Sequence, residues 1–342
     1  MKLAIGVLCY ARPIHTALTL AFAYANKTKS TDLRFFYGIP EAGEHKSPSL
    51  LRILKCLEDA GHGKLHYLPD AADKTTGGNV DNLMGTMNSL EGYDCYFKID
   101  DDVLIGPGTD NELASLLLSK DMVDNKVYIL TGQTVREHMR GPRAFGWDFK
   151  TKSKRTIVCR SRGQSPMETF AAVSYKMIPH IVGAGLKSTC ENDAGTFGSY
   201  AIKLWNTGAK AALVLYPHIV MQHIGLTCTT GLKAEGSARS WAPAKCWSPA
   251  GRIVELPHFN FRVWEQSHLT GTQKAAGLNI LATLQAKSKH PAIKLIIDEL
   301  ETYEPGIDDV TLPMGRPDSF NELSKRKKHK RKRRVRLVGR NP

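Results

Sequence analysis

Sheet-forming runs alternate with helical stretches over the first hundred residues. Four apolar runs have the length and composition of strands: 2–10, 32–39, 63–69 and 94–99. Three stretches between them carry apolar residues at helical spacing: 14–28, 48–61 and 79–92. Strands that alternate with helices are typical of a doubly wound α/β fold, so we predict a mostly parallel sheet flanked by helices. A further amphipathic helix region is expected near 270–302.

Three consecutive aspartates, Asp100, Asp101 and Asp102, end the fourth strand run in YFKIDDDVLI. Aspartate is a poor strand former, and adjacent like charges repel. Ligands of parallel α/β sheets bind beyond the carboxyl ends of the strands, which is where these acids are expected to lie. Lys98 precedes Asp100 by two residues and could point the same way along the strand, with a lysine at the edge of the core as the alternative. The alternative to a cation site is a solvated turn, which aspartate also favours.

The net charge of +14 is unevenly placed along the chain. Residues 325–342 contribute eleven Lys/Arg and no acid, which leaves +3 for the rest. Such a block repels itself, so we expect a disordered basic tail. A second segment, 136–162, holds nine Lys/Arg against two acids and is interleaved with Phe145, Trp147 and Phe149. Together the two segments favour a polyanionic partner, with a solubility or membrane-surface role as the alternative for the tail.

The seven cysteines are odd in number, scattered and without any CxxC spacing. This pattern argues against a disulfide framework or a zinc cage and for a reducing cytoplasm. No segment has the unbroken apolar length that spans a bilayer, and no membrane association is expected. Arg12, Pro13 and His15 interrupt the apolar start of the chain, so we interpret it as strand, turn and helix rather than as a signal peptide.

Four segments, in this order, resemble the GT-A type of glycosyltransferases, which use nucleotide-diphosphate sugars: GVLCYARP, FKIDDDV with an Asp-x-Asp motif, CENDAGTFGSYAIKLWNTGAK and VMQHIG. The resemblance implies a GT-A (Rossmann-like) catalytic domain over 1–230. Its nucleotide-sugar-binding half would be 1–110 and its acceptor-binding half 111–230. Residues 231–304 would then be a C-terminal extension packing on this domain, and 305–342 a linker and the basic tail.

The resemblance implies that Asp100 and Asp102 form the Asp-x-Asp pair that binds a divalent cation, with Asp102 the most direct ligand. Asp101 would orient its neighbours or contact the donor ribose. A hard cation on carboxylate oxygens stabilises the charge of a leaving diphosphate. His223 in VMQHIG matches the histidine that many such enzymes add as a third ligand, and imidazole favours Mn²⁺ over Mg²⁺. His218 is the competing candidate, and a packed core histidine is the alternative.

The same resemblance places the donor, for which we expect a UDP-sugar, near the N-terminal segment. Tyr10 and Arg12 are candidates for base stacking and phosphate contact, and Asp70 for contact with the base or ribose. The helix start after Gly77 and Gly78 could offer backbone amides to phosphate, with a simple turn as the alternative.

The segment CENDAG matches the family segment that supplies a carboxylate near the acceptor. In inverting members this acid removes the proton of the acceptor hydroxyl. The common adjacent acid pair is split here into Glu191 and Asp193 around Asn192. We favour Asp193 as the base and Glu191 as the second candidate, with helix capping by Asp193 as the alternative. Whether the reaction retains or inverts configuration stays open.

The first hypothesis for the acceptor is a hydroxymethylated base in double-stranded DNA. The basic tail, the segment 136–162, the cysteine pattern and the lack of a membrane-spanning segment favour it. The resemblance adds that such enzymes are typical of phages that modify their DNA, which would place the protein in the cytoplasm of a bacterial host. Phe145, Trp147 and Phe149 could stack on an extruded base or fill the gap that it leaves. The alternative is a loop whose aromatic side chains pack on the core. Basic residues of the same segment would contact phosphates: Arg143, Lys152, Lys154 and Arg155. The alternatives are the same chemistry on a protein, glycan or lipid, and a non-catalytic nucleic-acid-binding protein with a degenerate core. The oligomeric state stays open.

Overall fold

The structure is a computed structural model, and it describes these residues: 1–9, 12–38, 47–68, 92–131, 147–150, 156–159, 170–175, 210–215, 221–224, 246–247, 253–254 and 256–304. The described strands are β1 (Leu3–Cys9), β2 (Thr31–Gly38), β3 (Lys64–Leu68), β4 (Cys95–Asp100), β5 (Val103–Ile105), β6 (Val127–Thr131), β7 (Trp147–Lys150), β8 (Thr156–Cys159), β9 (Phe170–Ser174), β10 (Lys210–Leu215), β11 (Met221–His223), β12 (Cys246–Trp247) and β13 (Ile253–Val254). The described helices are α1 (Pro13–Asn26), α2 (Pro48–Asp59), α3 (Thr109–Leu117), α4 (Lys120–Asp124), α5 (Phe261–Thr270), α6 (Gln273–Ser288) and α7 (Pro291–Glu301).

Nine of these strands form one sheet in the order β3-β2-β1-β4-β9-β6-β10-β8-β7. β3, β2, β1 and β4 are parallel neighbours, and β10 is parallel to β6. β9 is antiparallel to β4 and β6, and β8 is antiparallel to β10 and β7. Seven of the nine described strands therefore run in one direction. The predicted α/β fold with a mostly parallel sheet flanked by helices is confirmed.

The centre of the sheet explains why its strands read as unbroken apolar runs. Every residue of β1 is buried, because β1 lies between β2 and β4 and is covered on both faces. The four strands expected in the first hundred residues are all present, as β1 to β4. The helices expected at 14–28 and 48–61 are α1 and α2, both starting at a proline. The helix expected at 79–92 falls almost wholly outside the described residues.

The C-terminal helices extend the core that begins at β1 and α1. α6 packs against α1, and α7 packs against both α1 and α2. A Cβ on Gly277 of α6 would lie 2.9 Å from Ile14 Cγ2, so the backbones of α6 and α1 approach each other closely. Ile280, Leu281, Ile293 and Ile296 join the same buried cluster as the sheet strands. Of the helices that the structure describes, none is long and apolar enough to cross a membrane.

The helix region expected at 270–302 is divided into separate helices. α5 is capped at its C-terminus by Gly271, which has a left-handed backbone with φ of +69°. α6 is capped by Lys289, whose φ is +54°, and Pro291 then starts α7. Left-handed residues terminate helices, so a single long helix cannot pass through these points.

Helix α7 begins at a histidine that lies among other titratable groups. His290 Nδ1 accepts a hydrogen bond of 3.2 Å from the Ala292 backbone N–H. Its ring stacks on Tyr24 at 5.0 Å between centroids and lies 5.6 Å from the His62 ring. Burial lowers the pKa of His290, and His62 and Lys27 lower it further.

Acidification is therefore expected to weaken the start of α7. The folded pKa of His290 lies below the ordinary 6.5, so folding favours its neutral ring. The stability that the neutral ring contributes is complete above pH 6.5 and is lost as the pH falls through the folded pKa. His290→Asn should keep a capping side chain but remove the titration. The loss of Tm between about pH 7.5 and about pH 5.5 should be smaller in the variant than in the parent, as measured by circular dichroism. His66, whose pKa burial also lowers, is present in both proteins, so equal losses of Tm would refute a role for His290.

Candidate active site

The three aspartates form the turn between β4 and β5 at the carboxyl edge of the sheet. Asp100 is the last residue of β4, and Val103 is the first residue of β5. Asp101 and Asp102 are buried, with exposed fractions of 3% and 5%. A solvated turn is therefore excluded for these two acids.

Lys98 lies beneath this turn with an exposed fraction of 1%. Its ammonium forms an ion pair with Asp100, which confirms that the two side chains lie on the same side of β4. A buried ammonium is costly unless a carboxylate neutralises it. The buried Lys98 ammonium is therefore a structural partner of the Asp100 carboxylate.

Arg12 connects the other two acids to the start of α1. Its Nη1 donates a hydrogen bond of 2.7 Å to Asp102 Oδ2, and its Nη2 donates to Asp101 Oδ1. Thr16, one turn into α1, donates through Oγ1 to the Arg12 backbone carbonyl at 2.9 Å. Arg12 reaches the acids because of the sheet topology. Leu8 of β1 pairs with Asp100 of β4, so the residues that follow these parallel strands lie at the same edge of the sheet.

The charges of this cluster do not cancel. Burial alone would lower the pKa of Arg12, but the attraction of Asp101 and Asp102 and their hydrogen bonds outweigh it and hold the pKa above its ordinary value. Arg12 and Lys98 thus supply two positive charges against three carboxylates, a formal charge of −1 among these described side chains. Among these five described side chains the excess charge is negative, which is the sign that attracts a cation.

The backbone brings His223 to the same turn. β11 pairs with β5 in an antiparallel ladder in which His223 lies opposite Val103. The next residue, Ile224, donates its N–H to the Asp102 carbonyl at 2.8 Å. Opposite Cα atoms in such ladders are about 4.5–5.5 Å apart, so the His223 backbone adjoins the third acid. The His223 side chain lies outside the described residues.

The chemistry of the donor set fits a divalent cation, but the described side chains do not complete a site. Carboxylate oxygens are the ligands of hard cations, and Asp100 and Asp102 present them at the edge of the sheet. Within the described part of the chain, no group of three or more His, Cys, Asp or Glu side chains is arranged to hold a metal ion. A metal therefore requires additional ligands from beyond these side chains.

Most of the other predicted site residues lie outside the described residues: Tyr10, Asp70, Arg143, Phe145, Lys152, Lys154, Arg155, Glu191 and Asp193. The same holds for His218, the Gly77–Gly78 pair and the tail at 305–342. Trp147 is described as backbone only, as the first residue of β7. β7 and β8 form an antiparallel pair at one end of the nine-stranded sheet and belong to the basic segment 136–162.

Two features of the site were missed from the sequence. Arg12 was expected only as a contact of the donor, and its ion pairs with Asp101 and Asp102 were not foreseen. Its position directly after β1 was the available signal, because parallel neighbours end at one edge. The second feature is Trp264, which donates its indole N–H to the Ile224 carbonyl. No local pattern links residues 40 positions apart.

No protein family and no curated protein sequence matches the chain. Among solved structures, S. aureus TarS 1–349 is similar at 11% identity and a TM-score of 0.40, over 63% of this chain and 57% of that one. TarS 1–349 in complex with UDP gives a TM-score of 0.39. Mannosyltransferase PcManGT from Pyrobaculum calidifontis, in complex with GDP-Man and Mn²⁺, is similar at 13% identity and a TM-score of 0.43, over 89% of this chain and 81% of that one. At these identities the likeness concerns the fold alone.

Proposed function

We propose that the protein is a metal-dependent glycosyltransferase of the GT-A type, which moves a sugar from a nucleotide-diphosphate sugar to a hydroxyl acceptor. The observation that carries the proposal is the acid turn Asp100–Asp102. It lies at the carboxyl edge of a mostly parallel sheet, keeps a formal charge of −1 with Arg12 and Lys98, and is joined by the strand that bears His223. A site of this charge and position suits a cation that binds phosphates.

Asp100, Asp102 and His223 would hold the metal. Mn²⁺ is the first choice, and Mg²⁺ is the alternative. Bound there, the cation would neutralise charge on the leaving diphosphate. Arg12 orients Asp102 from the α1 side, and Lys98 orients Asp100 from below. Tyr10, Arg12, Asp70 and Asp101 are the proposed contacts of the donor, for which a UDP-sugar is the first choice.

Asp193, or else Glu191, is proposed as the general base of an inverting reaction. The acceptor hydroxyl oxygen attacks the anomeric carbon while its proton passes to this carboxylate. The bond between the anomeric carbon and the diphosphate oxygen breaks, and the nucleoside diphosphate leaves with the electron pair. Both acids belong to the segment that resembles the acceptor side of the family.

Double-stranded DNA that carries a hydroxymethylated base is the proposed acceptor. Support comes from charge: eleven Lys/Arg in 325–342 and nine in 136–162 would attract phosphates on any sequence. A primary hydroxyl on the base would supply the nucleophile. Because a base inside a duplex is unreachable, the enzyme would have to extrude it, with Phe145 or Trp147 stacking on it.

Transfer to hydroxymethylated DNA is expected to exceed transfer to unmodified DNA of equal sequence by at least about a hundredfold, because only the former offers a primary hydroxyl at the base. Full-length protein, Mn²⁺ and a panel of sugar nucleotides beginning with UDP- and GDP-sugars would be incubated with each duplex. Mass spectrometry of the released nucleosides would measure the product.

The two ways in which this experiment can fail have different meanings. Equal incorporation into both duplexes, or incorporation only into protein or glycan acceptors added in parallel, would refute the DNA acceptor and leave the transferase standing. If every donor fails with every acceptor and no sugar nucleotide is hydrolysed, the transferase proposal itself is wrong. The chain would then be better described as a nucleic-acid-binding protein.

A further inference from the structure

The residue that follows His223 is held through both of its backbone polar groups. The Ile224 N–H donates to the Asp102 carbonyl at 2.8 Å, and the Ile224 carbonyl accepts from Trp264 Nε1 at 2.9 Å. The first bond connects β11 to the acid turn. The second connects β11 to α5 of the C-terminal helices.

Trp264 itself is firmly enclosed, with an exposed fraction of 0%. The His15 ring meets its indole edge-on, with 5.2 Å between centroids and an interplanar angle of 81°. Phe259 packs on another side at 6.4 Å. Ser267 Oγ donates to the Trp264 carbonyl at 2.7 Å, within a helix whose start is capped by the Asn260 side chain.

His15 adds a connection to the other side of the site. It lies in the first turn of α1, three residues after Arg12, which holds Asp101 and Asp102. Trp264 therefore lies between the helix that carries Arg12 and the strand that carries His223. Through this side chain the C-terminal helices contact both α1, which follows Arg12, and β11, which carries His223.

The β5–β11 ladder needs such support because it is small. It is a separate two-stranded sheet with three residue pairs, and two-stranded sheets are marginal by themselves. A buried indole N–H requires an acceptor, but any core carbonyl would satisfy it. Here the acceptor is the residue next to His223, so the same bond also fixes where β11 ends.

We propose that Trp264 is a positioning residue of the acid site, whose indole N–H holds the end of β11 and thereby keeps His223 beside Asp102. The consequence for metal binding rests on the function proposed above, whereas the restraint on β11 does not. Groups that position a metal ligand commonly change metal affinity about 10–100-fold when they are removed. The C-terminal helices would then support the site at Asp100–Asp102 in addition to packing against α1.

The test compares two full-length variants that both disturb the same aromatic cluster. Trp264→Phe keeps an apolar ring but removes the N–H donor to Ile224. Phe259→Leu disturbs the packing around Trp264 and leaves that donor in place. Hydrogen exchange measured by mass spectrometry is expected to be at least about tenfold faster in the peptide that contains 221–224 for Trp264→Phe, and close to the parent rate for Phe259→Leu.

Mn²⁺ titration followed by electron paramagnetic resonance gives the second readout. Trp264→Phe should weaken Mn²⁺ binding about tenfold or more, while Phe259→Leu should bind within about twofold of the parent. Unchanged exchange in 221–224, or equal acceleration in both variants, would overturn the positioning role whatever the metal result. If exchange in 221–224 is faster in Trp264→Phe but the parent binds no Mn²⁺, the restraint on β11 stands and the proposed metal site is refuted. Faster exchange with unaltered Mn²⁺ affinity would overturn the link from Trp264 to the site.

If circular dichroism shows that Trp264→Phe does not fold, an experiment on the parent protein tests the proposal instead. Its five tryptophan indoles can be followed by ¹⁵N NMR during addition of Mg²⁺. The Trp264 indole N–H should exchange slowly with solvent and shift with Mg²⁺. Rapid exchange of that indole, or no shift in a protein whose other signals respond to Mg²⁺, would overturn the proposal.

Discussion

Asp102→Asn is expected to lower sugar transfer by about a thousandfold or more and to abolish the rise in Tm that Mn²⁺ produces in the parent. A bound cation stabilises a leaving diphosphate by several kcal/mol, and each 1.4 kcal/mol or so is a tenfold change in rate. The amide keeps the shape of the carboxylate but not its charge. Kinetics of transfer and thermal unfolding with and without Mn²⁺ would measure the two effects.

Asp101→Asn is the matched control for this variant. Both acids are buried, both adjoin the same turn and both pair with Arg12, so both variants lose an ion pair to that guanidinium. Both should therefore lower the Tm. Only Asp102→Asn should also lose the response to Mn²⁺, because Asp102 is the proposed direct ligand.

Loss of the Mn²⁺ response in both variants would show that the Arg12 ion pairs, and not the ligand identity of Asp102, control the site. Full activity of the parent protein in a metal chelator would refute the metal assignment altogether. Asp100→Asn should also impair the Mn²⁺ response, but it leaves the buried Lys98 without its carboxylate and is the less clean variant.

Arg12→Gln is expected to destabilise the fold by about 3–5 kcal/mol, the range found when one partner of a buried ion pair is removed. The Arg12, Asp101 and Asp102 side chains are 16%, 4% and 7% exposed, so water cannot replace the lost guanidinium. Urea unfolding followed by circular dichroism would measure the change. The free energy of unfolding of Arg12→Lys should lie between those of Arg12→Gln and the parent. A single ammonium cannot reproduce two parallel hydrogen bonds.

Lys120→Gln provides the surface control for this measurement. Its partner is Asp124 at 2.9 Å, and the two side chains are 81% and 55% exposed. Exposed pairs of this kind contribute about 0–1 kcal/mol, so the free energy of unfolding should hardly change. If Arg12→Gln were as stable as Lys120→Gln, the ion pairs beneath the acid turn would contribute nothing that the fold needs.

Mn²⁺ should restore part of the stability that Arg12→Gln loses. The variant removes one cation, so the formal charge of the described side chains at positions 12, 98, 100, 101 and 102 falls from −1 to −2. A divalent cation at the turn would offset this charge. The rise in Tm on adding Mn²⁺ should therefore be larger in the variant than in the parent. An equal or smaller rise would contradict a metal site beside the acids that Arg12 contacts.

The first hundred residues allowed prediction because their local pattern and their environment agree. β1 and β4 are buried strands of a parallel sheet, which require continuous apolar runs, and α1 and α2 begin at prolines that helices accept in their first turn. The acids that end β4 were readable for the same reason, since charge directly after a buried strand must lie at its edge. The order of elements also placed them at the carboxyl ends of the strands, the edge at which α/β sheets generally bind ligands.

The antiparallel direction of β9 was beyond the reach of the sequence. β9 enters the sheet between β4 and β6 and runs against both. A buried antiparallel strand presents an apolar run that a buried parallel strand presents equally well, so composition does not separate the two. Only the pairing of neighbours, which depends on residues far apart in the chain, decides the direction.

By itself the sequence determined the α/β class, the first four strands and the acid turn, because each rests on contacts close in the chain or on a periodic pattern. The tertiary structure alone decided what surrounds the acids. Arg12 is 90 residues from Asp102, and Trp264 is 40 residues from Ile224, so neither contact has a local signal. Such contacts arise from the packing of parallel strand ends and of C-terminal helices on α1, and only three-dimensional proximity defines them.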